Sequence, residues 1–141
     1  MNSLNFLDAN VWLALSWRRH MHAETAARWF ESAGHGQFFL CRFTQLAVLR
    51  LLTTEKILGV DTHTMASAWD VLDQIQVDER ISFLPEPEGI DLDFRSRSSL
   101  KSRSPKIWAD AYLLAFASVA GLKLVTFDRA LHGRGADVLV L

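Results

Sequence analysis

Three aspartates, Asp8, Asp110 and Asp128, have the residue type and the setting for metal-assisted chemistry. Asp8 directly follows the apolar run at 4–7 and Asp128 the run at 124–127. Asp110 lies in Trp108-Ala109-Asp110-Ala111-Tyr112, within the expected first turn of a strong helical pattern. If the two runs are parallel strands of one sheet, Asp8 and Asp128 leave the same edge, where α/β domains gather their chemistry. Each acid also has a plain explanation. Aspartate is a common turn residue after a strand, and a carboxylate in a first helical turn gains about 0.3 to 1 kcal/mol from the macrodipole. Convergence of all three changes the balance, because close carboxylates repel and raise one another's pKa unless a cation neutralises them. An all-oxygen set selects a hard ion such as Mg²⁺ or Mn²⁺ over zinc, and such ions commonly act on phosphate esters. The chemistry to expect is hydrolysis of a phosphodiester.

The surrounding pattern supplies elements to carry these acids. The run at 4–7 reads as a buried strand feeding a helix through Val11, Trp12, Leu13, Leu15 and Trp17. A second helix over 23–33 stops at Gly34-His35-Gly36, and a strand over 37–40 follows. Thr44 is placed to cap a helix with the stripe Leu46, Val48, Leu49 and Leu52, and another helix is expected over 62–77. A third strand over 81–84 ends at Pro85-Glu86-Pro87. A helix over 107–120 closes at Gly121, and strands over 122–127 and 137–141 complete the chain. Strands alternating with helices predict a three-layer α/β domain with a mainly parallel sheet.

Composition narrows the class. At 141 residues, half of them hydrophobic, the chain fits one folded domain. Its 15 basic and 16 acidic residues give a formal charge of −1, so any contact with nucleic acid must be local. The single cysteine, Cys41, excludes an internal disulfide and a cysteine-built zinc site, and its place after a strand suits a small core residue. No stretch approaches the roughly 20 apolar residues of a membrane span, and the start, Met-Asn-Ser-Leu-Asn, lacks a charged leader region. The expectation is a cytoplasmic protein with no membrane partner.

Phe6-Leu7-Asp8-Ala9-Asn10, Asp110-Ala111-Tyr112-Leu113-Leu114-Ala115 and Leu124-Val125-Thr126-Phe127-Asp128 follow in the order and separation of successive motifs of the PIN-domain family. The chain resembles in particular the VapC-type ribonuclease toxins of bacterial toxin–antitoxin pairs. That resemblance implies a single Rossmann-like PIN domain over 1–141, with a central, mainly parallel sheet flanked by helices. It also implies Mg²⁺- or Mn²⁺-dependent endoribonuclease activity on RNA, a small cognate antitoxin and a homodimer. By the same carry-over Asp8, Asp110 and Asp128 become catalytic, metal-holding acids, with Asn10 and Thr126 as supporting polar groups. One departure stands out. The family pattern places a glutamate three residues beyond a Thr or Ser in the helix after the second strand, and from Thr44 that position is Ala47. A branch of VapC-like sequences with a Thr-Gln…Leu-Arg segment resembles this chain more closely. Three carboxylates suit one ion, with a second held only when substrate phosphate completes its shell. Gln45 or Glu55 could substitute only if the backbone brings them near. The alternative is a degenerate RNA- or protein-binding regulatory module without nuclease activity. A receiver-type phosphoacceptor domain is disfavoured, because Asn5 and residues 122–128 do not supply its paired acid and late lysine.

Two further features bear on partners. Between 95 and 106 the chain is rich in serine and basic residues without one acid, so an exposed, mobile segment is expected. Its Arg95, Arg97, Lys101, Arg103 and Lys106 are candidates for RNA phosphates, the plainer reading being a solvated loop. Trp12, Trp17, Trp29 and Phe30 crowd the first two helices. Most should be core, yet an aromatic groove there would suit an antitoxin helix, as the resemblance implies. His20 and His22 flank Met21, and their alternation in an extended chain points them apart, as loop residues.

Overall fold

The structure, a computed structural model, describes residues 3–141; Met1 and Asn2, part of the start read above for a leader, lie outside the described residues. In chain order the elements are β1 (Leu4–Leu7), α1 (Ala9–Ser16), α2 (Ala23–Ser32), β2 (Gln37–Leu40), α3 (Arg42–Leu52), the one-turn α4 (Glu55–Leu58) and α5 (Met65–Ile75). They continue with β3 (Ile81–Phe83), α6 (Ile90–Ser98), α7 (Lys106–Ala120), β4 (Lys123–Thr126) and β5 (Val138–Val140). The five strands are parallel in the order β3-β2-β1-β4-β5, with Phe6 level with Phe39 on one side and Leu124 on the other.

Strand alternation sorts the apolar residues into two cores. Leu7, Phe38, Leu40 and Val125 meet Val11, Trp12, Val48, Leu52 and Leu72 from α1, α3 and α5. Phe6, Phe39 and Leu124 meet Ile90 of α6 and Leu113, Leu114 and Phe116 of α7, with the Phe6 and Phe116 rings stacked at 4.5 Å. Burying each of these large side chains contributes on the order of 1.5 to 3 kcal/mol. From β1 the chain builds outward through β2 to β3 under one layer of helices, then crosses over the other face to β4. The strand order therefore reverses between β1 and β4, the place where open α/β sheets form their ligand crevice.

Several boundaries differ from the sequence expectation. Helix α3 starts at Arg42 with Cys41 as its N-cap. Thr44 is its third residue and answers the cap by accepting from the Cys41 N–H at 3.0 Å. The expected helix over 62–77 shortens to Met65–Ile75, capped by Thr64. The expected mobile stretch from 95 to 106 is partly helical: Arg95 and Arg97 belong to α6, and only 99–105 is irregular. Helix α7 begins at Lys106, and Gly121, at φ 70°, ends it and turns the chain into β4. No helix among the described residues is long and apolar enough to cross a membrane.

Candidate active site

The carboxyl ends of β1 and β4 bring the first and last aspartates together. The Asp8 N–H donates to the Val125 carbonyl at 2.9 Å, extending the β1–β4 ladder one residue past β1. Its side chain then caps α1, Oδ1 accepting from the Ala9 N–H at 2.7 Å. Oδ2 accepts from the hydroxyl of Thr126 at 2.9 Å. Thr126 is fully buried, and its Oγ1 also accepts from the Asp128 N–H at 3.0 Å. One hydroxyl thus links the Asp8 carboxylate to the backbone of Asp128. Asp128 is exposed, and its Oδ1 caps a single 3-10 turn by accepting from the Ala130 N–H at 2.9 Å.

Asp110 approaches from α7 on the opposite core. Because α7 starts at Lys106, Asp110 lies in the second turn and not the first, so the helix macrodipole, which fades within one turn, does not account for it. It is half-buried, and no protein group among the described residues donates to its carboxylate. Burial chiefly, then the charges of Asp128 and Asp8, push its pKa above the usual carboxylate range, against an opposing pull from Arg134. Asp8 is raised too, mainly by burial and further by Asp128, while the bonds from Thr126 and Ala9 restrain the shift. The three acids therefore share one field. They do not close on one point, for among the described residues no three His, Cys, Asp or Glu side chains form a ready metal cage. The donor set fits a hard cation by charge and element, because such an ion would reverse the repulsion that raises Asp8 and Asp110.

The other candidates fall into distinct places. Asn10 is exposed in the first turn of α1 without a side-chain bond among the described residues. Ala47 packs against the core of α1 and α5, so its position holds no acid. Gln45 is buried and accepts from the Arg42 guanidinium, and Glu55 is exposed at the start of α4. Within the basic stretch, Arg95 pairs with Asp91 at 2.8 Å, and Arg97 pairs with Asp93 and donates to the Arg134 carbonyl. Lys101, Arg103 and Lys106 are exposed and in no ion pair among the described residues. Of the aromatic groove candidates, Trp29 and Phe30 pack on Phe38 at 5.6 and 4.5 Å, and the Trp17 Nε1–H donates to Asp61 at 2.8 Å. Trp12 is 1% exposed, with no partner for its indole N–H among the described residues. With Phe30, Leu15, Ile75 and Ile81 it lines a hollow of about 240 Å³.

The histidines lie in the loop between α1 and α2, as expected, but they do not point apart. Both His22 and His20 rest on Phe127, at ring separations of 4.6 and 5.9 Å, and 5.8 Å from each other. The His22 backbone N–H donates to His20 Nδ1 at 3.0 Å, and burial together with the neighbouring His22 lowers the His20 pKa, favouring a neutral ring. Phe127 is the residue between Thr126 and Asp128, so the connection from α1 to α2 returns to the edge that carries the acids. Arg134, the cation facing Asp110, also lay outside the sequence reading, because it sits in a loop whose path only the fold defines.

Compared with known proteins, the chain matches the sequence profile of the PIN domain family over residues 6–135. It is 38% identical over 139 residues to Ribonuclease VapC41 of Mycobacterium tuberculosis, the match covering 95% of each chain. Ribonuclease VapC39 of the same organism is 29% identical over 134 residues, again covering 95% of each. Among solved structures, VapC20 of M. tuberculosis, described as a sarcin–ricin loop cleaving toxin, is similar with a TM-score of 0.66 at 16% identity over 94% of this chain and 95% of that one. PAE2754 from Pyrobaculum aerophilum is similar with a TM-score of 0.61 at 22% identity over 98% of this chain and 85% of that one. At those identities the two structures speak for the fold alone.

Proposed function

The chain belongs to the PIN domain family, among its VapC-type toxins, and from that premise we propose that it is a Mg²⁺- or Mn²⁺-dependent endoribonuclease whose catalytic acids are Asp8, Asp110 and Asp128. The observation that carries the reading is the Thr126 hydroxyl bound to both Asp8 and Asp128 at the switch point of the sheet, with Asp110 in the same field. The three carboxylates would hold the ion. When bound, Mg²⁺ or Mn²⁺ supplies a lowered pKa for coordinated water and neutralises the charge that builds on the attacked phosphate. Thr126 and the Ala9 N–H keep Asp8 in one orientation, so this acid needs little reorganisation on binding. Asp110, to whose carboxylate no protein group among the described residues donates, is the group free to orient the attacking water and accept its proton. No side-chain nucleophile is required. Within the basic stretch, exposed Lys101, Arg103 and Lys106 are available to substrate phosphates, whereas Arg95 and Arg97 are already paired.

A small antitoxin is the proposed protein partner, by carry-over from the relatives, with the hollow beside Trp12 and Phe30 as its candidate seat. A homodimer is proposed to form over α3 and α5. There Leu46, Met65 and Trp69 are 54, 79 and 46% exposed around a hollow of about 290 Å³.

The test is cleavage of total RNA by the purified protein with Mg²⁺, Mn²⁺ or chelator, beside Asp8→Asn and Asp110→Asn. Cation-dependent cleavage lost in both variants is expected. In chelator near neutral pH, Asp110→Asn should melt no lower than the wild type. The raised pKa means that ionised Asp110 costs the fold stability as pH rises through its folded value, and the amide removes that cost. Cleavage unchanged in Asp110→Asn would remove that residue from the site. No cleavage under any cation would favour the non-catalytic binding module, to which the acid-free Ala47 position points.

A further inference from the structure

We propose that the connection between α1 and α2, residues 17–22, together with Phe127, forms the surface on which a base of single-stranded RNA stacks beside the acids. This rests on the nuclease reading above and adds to it the way substrate is held. Trp17-Arg18-Arg19-His20-Met21-His22 places two guanidinium groups among three aromatic rings, without an acid. The rings form one cluster: His22 and His20 lie on Phe127 at 4.6 and 5.9 Å, tilted by 30° and 26°, and Trp17 meets His20 edge-on at 6.0 Å. All four are partly open to solvent, and no protein group bonds the ring nitrogens of His22 among the described residues. Arg18 is exposed and in no ion pair among those residues, and Arg19 is exposed, with Asp61 at 3.5 Å. Cations interleaved with π faces are how proteins hold single strands: the guanidinium groups follow the backbone and the rings take bases without regard to sequence. In a chain of net charge −1 such a local patch is what RNA requires. Its placement supplies the function. Phe127 joins Thr126 to Asp128, so a base on this stack sets its own phosphate against the acids.

The experiment measures binding of a fluorescein-labelled single-stranded oligoribonucleotide by anisotropy in chelator, and steady-state cleavage with Mg²⁺ or Mn²⁺. The proteins are the wild type, His22→Ala, His22→Phe and Arg18→Ala. His22→Ala should weaken binding and raise KM about ten-fold with kcat within about two-fold, and His22→Phe should restore both, since the ring plane carries the contact. Arg18→Ala should weaken binding and flatten its salt dependence. If His22→Ala fails to fold, Arg18→Ala at its exposed site still decides, and unchanged affinity there overturns the proposal. A His22→Phe variant as weak as His22→Ala also overturns it, because a ring nitrogen would then be the active group. Wild-type cleavage with binding and KM unchanged in His22→Ala removes this surface and leaves the nuclease standing. Wild-type RNA binding that depends on His22 without cleavage under any cation does the reverse.

Discussion

At Thr126 a single buried hydroxyl donates to Asp8 and accepts from the backbone of Asp128. Thr126→Val keeps nearly the same shape but strands the Asp128 N–H and frees Asp8 to turn. It is expected to cost about 1 to 3 kcal/mol in denaturant unfolding and to lower cleavage, with Thr126→Ser retaining most of both. A valine variant with wild-type cleavage would mean that the orientation of Asp8 is fixed elsewhere. Asp8 and Asp128 were legible as a pair because strand ends locate them whatever the helices do. The sharing of one hydroxyl was not, since it depends on the register of β1 against β4. For Asp110 the residue was legible and its setting was not. Helix α7 runs one residue further back than the apolar pattern, to Lys106 behind Pro105, which moves Asp110 out of the first turn and removes its plain explanation.

Among the elements, β3 is tied in by Arg80. Its guanidinium forks onto Asp78 at 3.0 and 2.7 Å, donates to the Gly34 carbonyl after α2 at 2.6 Å, and lies over the rings of Phe30 and Phe38 at 4.5 and 5.5 Å. With both partners about one-third exposed, solvent discounts the pair, and Arg80→Ala is expected to cost about 1 to 2 kcal/mol. Bonds from Arg80 hold the Asp78 carboxyl down from 3.8 to about 2. The pair's contribution is therefore complete above the ordinary value and disappears as pH falls through the folded one. Wild-type stability should drop between pH 4 and 2 more steeply than that of Arg80→Ala, followed by chemical denaturation at each pH; parallel curves would contradict the assignment. The main strands and helices were legible from periodicity, whereas α4 and α6 were not. The former is a single turn. The latter, Ile90-Asp91-Leu92-Asp93-Phe94-Arg95, alternates apolar with charged residues like a strand, and its helix is supported by the spaced pairs Asp91–Arg95 and Asp93–Arg97.

For the molecule as a whole, a mainly parallel sheet could be expected from strands alternating with helices, and with it the edge that carries the site, whereas the reversal of strand order beside β1 is seen only in the fold. The meeting of His20 and His22 on Phe127 could not, because it depends on the path of a loop across the finished domain. The open apolar face of α3 and α5 predicts self-association: Leu46→Asp with Trp69→Asp should convert a dimer to a monomer by light scattering, and a wild type of single-chain mass would refute that use of the face. Both outermost strands, β3 and β5, are three residues long. A free edge invites a neighbouring chain to extend the ladder, but three residues offer few unmet backbone groups. Recruitment of a peptide as an added strand is thereby discouraged, and so is edge-to-edge fibrillar growth. Association is left to helical surfaces, so an isolated copy of this chain has little edge template for aggregation.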